Sequence, residues 1–199
     1  MTLELAVDSH VAPAPFVAAL TDFTERRPAL WPNLDPRYYR VHARGDTWAE
    51  VTEGSSFAGG VWERARYDWS RPGMVSIQVL ESNAFASGSF WRYQVEPNGR
   101  GGSRITFTLS RVGRSLKGKL LAGLLRVFGP RVFRRDLEVA LKKIAAATEH
   151  QRKQQRCGAS SAERGRVSAT TAANAAATPP QTAVLTDGHE IMHARARLE

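Results

Sequence analysis

The feature that most constrains this chain is a change of hydrophobic period. From about residue 37 to 111 apolar residues fall on every second position; from about 114 to 153 they recur at helical spacing. Tyr39, Val41 and Ala43 alternate with Arg40, His42 and Arg44, and Gly45-Asp46 marks a turn before a second strand through Trp48–Glu53. The stretch VWERARYDWS follows, then the Pro72-Gly73 turn, then Val75, Ile77 and Val79 in alternation. Ser89, Trp91, Tyr93 and Val95 share a face, and Ile105, Phe107 and Leu109 close the series. Strands that follow one another through tight turns pair antiparallel, so this region predicts a meander.

Ahead of it, LELAVD at 3–8 alternates like a half-buried strand. The following VAPAPFVAALTDFTERRPALWPNLDP carries helical spacing at Phe16, Ala19, Leu20 and Phe23, with Pro15 suited to a first turn. Pro28 and Pro32 divide it into two short helices. Behind the meander, Leu116, Leu120, Leu124, Val127 and Phe128 form one helical stripe, and Phe133, Leu137, Leu141 and Ile144 a second. Gly129-Pro130 between them predicts a kink or break. Gly118 and Gly123 each cost about 1 kcal/mol against alanine inside a helix, a cost that close helix–sheet approach or space for a ligand would offset. The expected architecture is α+β. A curved antiparallel sheet of six to seven strands, with two short helices after the first strand, grips a long C-terminal helix packed across it. A sheet curved around one helix leaves space between them, lined by inward strand residues.

The segments PAPFVAALTDFTERRPALWPNLDP, WERARYDWS and ESNAFASGSFWRYQV, with the long terminal helix, resemble the START-like (SRPBCC) superfamily of polyketide cyclase/dehydrase and lipid-transport type. The resemblance covers about residues 1–150 and rests on element order and aromatic-rich strands. It implies a helix-grip fold with a hydrophobic-ligand cavity, in a group that runs from lipid carriers to aromatase/cyclases. Fold analogy does not choose among those roles.

Strand parity nominates the lining. Glu63, Ala65, Tyr67 and Trp69 share one face, Ile77 and Val79 another (with Glu81 expected at the mouth), and Ser89, Trp91 and Tyr93 a third; Phe107 on the last strand and Leu120 and Leu124 on the helix complete the set. Sparse polar groups in an apolar wall orient small ligands. Glu63 is either a ligand partner or general base with a raised pKa, or the partner of Arg64, Arg66 or Arg104. The aromatic residues are equally consistent with core packing. No histidine lies on an apolar strand face, His42 falling with Arg40 and Arg44, and no residue is assigned a catalytic role. No cofactor or metal is expected.

Charge is uneven. Residues 111–143 hold ten Lys/Arg against Asp136 and Glu138, while the rest of 1–150 is slightly acidic. The basic helix is a solvated face or is drawn to an anionic membrane surface. Nucleic acid is not an expected partner, because recognised binding motifs are missing. Beyond about 155 the composition shifts to Ala, Ser, Thr, Gly and Arg, so 1–154 reads as the domain and 155–199 as a disordered low-complexity tail. The tail contains Cys157 and the sequence His189-Glu190-Ile191-Met192-His193, which matches the H-E-x-x-H zinc pattern without the flanking core such a site needs. No apolar run approaches the roughly 18–20 residues of a membrane span, and MTLELAVDSH lacks a signal-peptide pattern, so the expected location is cytoplasmic.

Function reads in three ways. The chain binds or carries a small hydrophobic ligand (lipid, polyketide or aromatic); or it is an aromatase/cyclase-type enzyme using the same cavity, with Glu63 and Tyr67 the first residues to test; or it is peripherally membrane-associated through the basic helix.

Overall fold

The computed structural model describes residues 1–176, with side chains through residue 156. The chain divides into two units, Met1–Lys153 and Gln154–Glu199. In the first, strand β1 (Thr2–Ser9) leads to helices α1 (Pro13–Leu20) and α2 (Arg27–Leu30), then to β2 (Arg40–Arg44), β3 (Trp48–Ser55), β4 (Val61–Asp68), β5 (Met74–Ser82), β6 (Phe90–Pro97) and β7 (Ser103–Ser110). The final helix, α3, runs Leu116–Ala176. All seven strands form one antiparallel sheet in the order β1-β7-β6-β5-β4-β3-β2, so the meander β2–β7 is continuous and β1 closes against β7. This is the helix-grip arrangement expected from the period change.

Alternation decides which strand residues face the helix. Ala49 and Val51 on β3, Ala65 and Tyr67 on β4, Val75 and Ile77 on β5, and Ile105, Phe107 and Leu109 on β7 are buried in one core. That core also takes Phe16 and Leu20 of α1 and Leu137, Ala140, Leu141 and Ile144 of α3. Phe16, fully buried, contributes roughly 1.5–3 kcal/mol by leaving water. Positive φ is required at Gly73 in the β4–β5 turn, where φ is 72°.

Three local expectations are corrected. Glu81 is exposed and Ser82 is buried, because the β4–β5 pairing shifts register between Arg64 and Ala65, opposite Val79 and Glu81. The additional residue returns the parity of β5 to the other face. Of the kink or break expected at Gly129-Pro130, the break does not occur: α3 continues through Pro130. Its buried phase also differs from the Leu116–Leu120–Leu124 stripe: Gly118, Leu121 and Gly129 are buried, while Leu116 and Leu120 are 86% and 68% exposed. The first half of α3 is apolar on more than one face, and small residues decide which face goes in. At Gly118 a Cβ would collide with the carbonyl oxygen of Ala84, so only glycine permits that approach, and Leu121 then packs on Ala84 and Phe85. At the tail boundary α3 runs on to Ala176, past the expected domain end at 154. Residues 177–199, including the H-E-x-x-H sequence, lie outside the described residues.

Candidate functional site

Two connected spaces lie between the sheet and α3. The inner chamber is about 100 Å³ and is walled by Tyr67, Trp91, Tyr93 and Phe107 from the sheet and Phe133 and Leu137 from α3. The outer groove is about 700 Å³ and runs between the β3–β4 end of the sheet and the Leu121–Val132 stretch of α3. Asn33, Leu34, Glu53, Trp91, Arg111, Phe133 and Asp136 line both and mark where they join.

The polar chemistry follows from strand register. Glu53 on β3 and Glu63 on β4 are direct cross-strand partners, and both point inward. Two carboxylates so placed repel, and burial penalises their charge further. Each receives its own guanidinium from outside the pair. Arg27, only 2% exposed, bonds Glu53 through Nε, donates to the Leu20 carbonyl through Nη1 at 2.7 Å and to the Tyr67 hydroxyl through Nη2 at 3.1 Å. Tyr67 in turn donates its hydroxyl proton to Glu53 at 2.5 Å. The guanidinium lies 4.6 Å from the Phe23 ring centroid and 5.1 Å from that of Tyr67. Burial opposes the charge on Arg27, but Glu53 and Tyr67 outweigh it and hold the guanidinium above its ordinary pKa. Burial, reinforced by Glu53, keeps the Tyr67 phenol protonated well beyond its usual range.

Arg111, just beyond β7, donates to Glu63 through Nη1 at 2.6 Å and lies over the rings of Trp91 (4.6 Å) and Phe85 (4.8 Å). Burial raises the pKa of Glu63, and Arg111 offsets only part of that. The Nε of Arg111 and the indole N–H of Trp31 are buried without a hydrogen-bond partner among the described residues. Asp136 of α3 has no hydrogen bond or salt bridge among the described residues, and burial raises its carboxyl pKa, with Arg135 opposing. Nonpolar walls, buried donors with capacity to spare and a desolvated carboxyl together suit a small molecule that is largely apolar with one oxygen-bearing end.

Of the residues nominated by sequence, Tyr67, Tyr93 and Phe107 line the inner chamber, Trp91 lines both spaces, and Glu63 and Leu124 line the outer groove. Ala65, Ile77 and Val79 face inward but are packed in the interior away from either space. Trp69 stacks on Phe23 with ring centroids 5.8 Å apart. Ser89 is fully buried, where its hydroxyl accepts from the Val112 N–H at 3.0 Å. Leu120 points to solvent for the reason of helix phase given above. The partner of Glu63 is Arg111 and not Arg64, Arg66 or Arg104; Arg64 and Arg66 both bridge to Glu50 on the other sheet face. Glu53 was reachable by parity, as it follows Ala49 and Val51 on one face. Arg27, Arg111 and Asp136 gave no sequence signal, because an isolated charge in a helix or at a strand end reads as solvated.

Among the described residues no helix is long and apolar enough to cross a membrane, and no cluster of three His, Cys, Asp or Glu side chains could hold a metal. No family model and no curated protein matches the sequence. Solved structures do match. The ZhuI aromatase/cyclase from a Streptomyces species superposes with a TM-score of 0.62 at 14% identity, over 73% of this chain and 93% of its own. A START superfamily protein from Mycobacterium smegmatis gives 0.53 at 12%, over 69% and 98%. Norcoclaurine synthase from Thalictrum flavum, solved in complex with dopamine and hydroxybenzaldehyde, gives 0.54 at 11%, over 74% and 87%. With a seven-stranded antiparallel sheet gripping a long terminal helix and likenesses spanning nearly the whole of such proteins, this chain has a START/SRPBCC-type fold.

Proposed function

We propose that the protein binds a small hydrophobic molecule, of lipid, polyketide or aromatic type, whose body lies in the outer groove and whose oxygen-bearing end reaches Arg111. The observation that carries this reading is the groove itself, about 700 Å³ and mainly apolar, ending on a buried guanidinium. Small-molecule sites are typically about 300–1,000 Å³ with a few convergent polar groups. The inner chamber, at about 100 Å³, is smaller than the cavity of about 150 Å³ that holds a single benzene, so the body of such a ligand belongs in the groove. The chamber suits the ligand's tip.

The test is calorimetric titration with naphthoate and, separately, with naphthalene methanol. Naphthoate should bind the tighter by about tenfold, the scale of one charge-assisted hydrogen bond. The double variant Arg111→Gln/Glu63→Gln, which removes both charges of the pair together, should erase that preference. No saturable uptake of either compound, in a protein from which native mass spectrometry shows no co-purifying ligand, overturns the proposal.

A second reading is favoured by Asp136. A desolvated carboxyl facing the same cavity as Arg111 could take a proton next to a ligand carbonyl while the guanidinium steadies the developing oxyanion, the step an aromatase/cyclase-type reaction needs. Under that reading Asp136→Asn keeps ligand affinity and loses turnover.

A further inference from the structure

The outward face of the first half of α3 takes no part in the core and reaches the cavity only at Phe128, yet it is strongly apolar. Leu116, Leu120, Val127 and Phe128 are 86%, 68%, 60% and 57% exposed, and Phe57, in the β3–β4 connection across the groove, is 65% exposed. Phe57 and Phe128 also line the groove, so the exposed patch is continuous with its mouth. Contiguous apolar surface of this kind marks an interaction site.

What covers it is indicated by charge. No acidic residue occurs between Glu96 and Asp136, while that interval holds ten Lys/Arg. Six of them, Lys117, Lys119, Arg126, Arg131, Arg134 and Arg135, lie on α3, and none is in a salt bridge among the described residues. A second copy of this helix segment would set cations such as Lys119, Arg126 and Arg131 against their own kind, with no acidic residue between Glu96 and Asp136 to offset them. Nucleic acid would satisfy the cations and leave leucines and phenylalanines in water. A bilayer with anionic headgroups satisfies both: the apolar stripe enters the acyl boundary and the cations meet phosphates.

We infer that the Leu116–Phe128 face of α3 docks on an anionic membrane surface and sets the groove mouth against the lipid. This rests on the ligand-binding reading for its purpose, because docking there gives an apolar ligand a path from bilayer to groove without crossing water.

The full chain is sedimented with phosphatidylcholine vesicles, with and without phosphatidylglycerol, at low and high salt. It should pellet with the phosphatidylglycerol vesicles at low salt and be released as salt screens the attraction. Lys119→Gln/Arg126→Gln should lower the partition coefficient about twenty-fivefold, at roughly fivefold per cation. Leu120→Gln/Val127→Gln, which touches neither the core nor the groove lining, should lower it about tenfold through lost apolar insertion and leave naphthoate affinity unchanged. No pelleting with anionic vesicles overturns the inference. So does binding that the leucine–valine variant leaves intact, or a concentration-dependent dimer that the same variant abolishes. Vesicle binding without naphthoate uptake leaves the docking standing and overturns the ligand reading; naphthoate uptake without vesicle binding does the reverse.

Discussion

Glu53→Gln isolates the energetics of the buried cluster at the inner end of the cavity. The substitution keeps the shape of the side chain and removes the charge that balances Arg27, a residue almost wholly out of water whose remaining partners, the Leu20 and Asp22 carbonyls, the Tyr67 hydroxyl and the new amide oxygen, are all neutral. Stranding one partner of a buried ion pair costs about 3–5 kcal/mol. Relief of repulsion between Glu53 and its cross-strand neighbour Glu63 recovers a small part of that. Against a total of about 5–15 kcal/mol for a domain, the loss is a large fraction. At about 2–4 °C per kcal/mol it corresponds to roughly 6–20 °C in Tm. Urea unfolding followed by far-ultraviolet circular dichroism measures it. The control is Arg27→Met with Glu53→Leu, which removes both charges and fills their volume. That variant should regain most of the stability, short by about 1–3 kcal/mol for the orphaned Tyr67 hydroxyl, and adding Tyr67→Phe should recover the remainder. If Glu53→Gln costs under about 1 kcal/mol, or if the double variant is no better than the single, the idea of an uncompensated buried charge is refuted.

Two further outcomes are expected. Gly118→Ala should destabilise, because its Cβ meets the Ala84 backbone, whereas Gly123→Ala, with open space around it, should stabilise by up to about 1 kcal/mol; thermal melts of both separate a packing glycine from an idle one. Asp136 titrates above its ordinary 3.8, so the folded state holds that proton more tightly than the unfolded chain does; its contribution is full below 3.8 and lost as pH rises through the folded value. Asp136→Asn should therefore match the parent at acid pH and exceed it at neutral pH, and equal stability at both pH values would remove this assignment.

How much of this was legible in the sequence depended on whether a residue belongs to a periodic pattern. The strand alternation carried the sheet, its order and the inward aromatic residues Tyr67, Trp91, Tyr93 and Phe107, because a two-residue period leaves no choice once one face is buried. It failed at Glu81, where a bulge resets the parity, and bulges have no compositional signature here. On α3 a helix with apolar residues on two faces has two admissible phases, and Leu116 and Leu120 were assigned to the wrong one. The decisive residue was Gly118, whose meaning depends on a backbone carbonyl many residues away. Arg27 and Arg111 were illegible for a related reason: their function comes from meeting Glu53 and Glu63, which only the folded chain brings near.

The β5 irregularity opposite Arg64–Ala65 has a consequence for the distant helix. Ser82, kept inward by it opposite Glu63, donates to the Trp62 carbonyl at 2.8 Å and accepts the N–H groups of Ala84 and Phe85, fixing the corner on which Gly118 rests. The bulge thus absorbs one supernumerary residue, Leu80, and keeps Ser82 under the helix in spite of it. Excising Leu80 would therefore leave Glu81 outward opposite Arg64 and Ser82 inward opposite Glu63, so the corner beneath α3, and with it the width of the ligand's doorway, should survive the deletion.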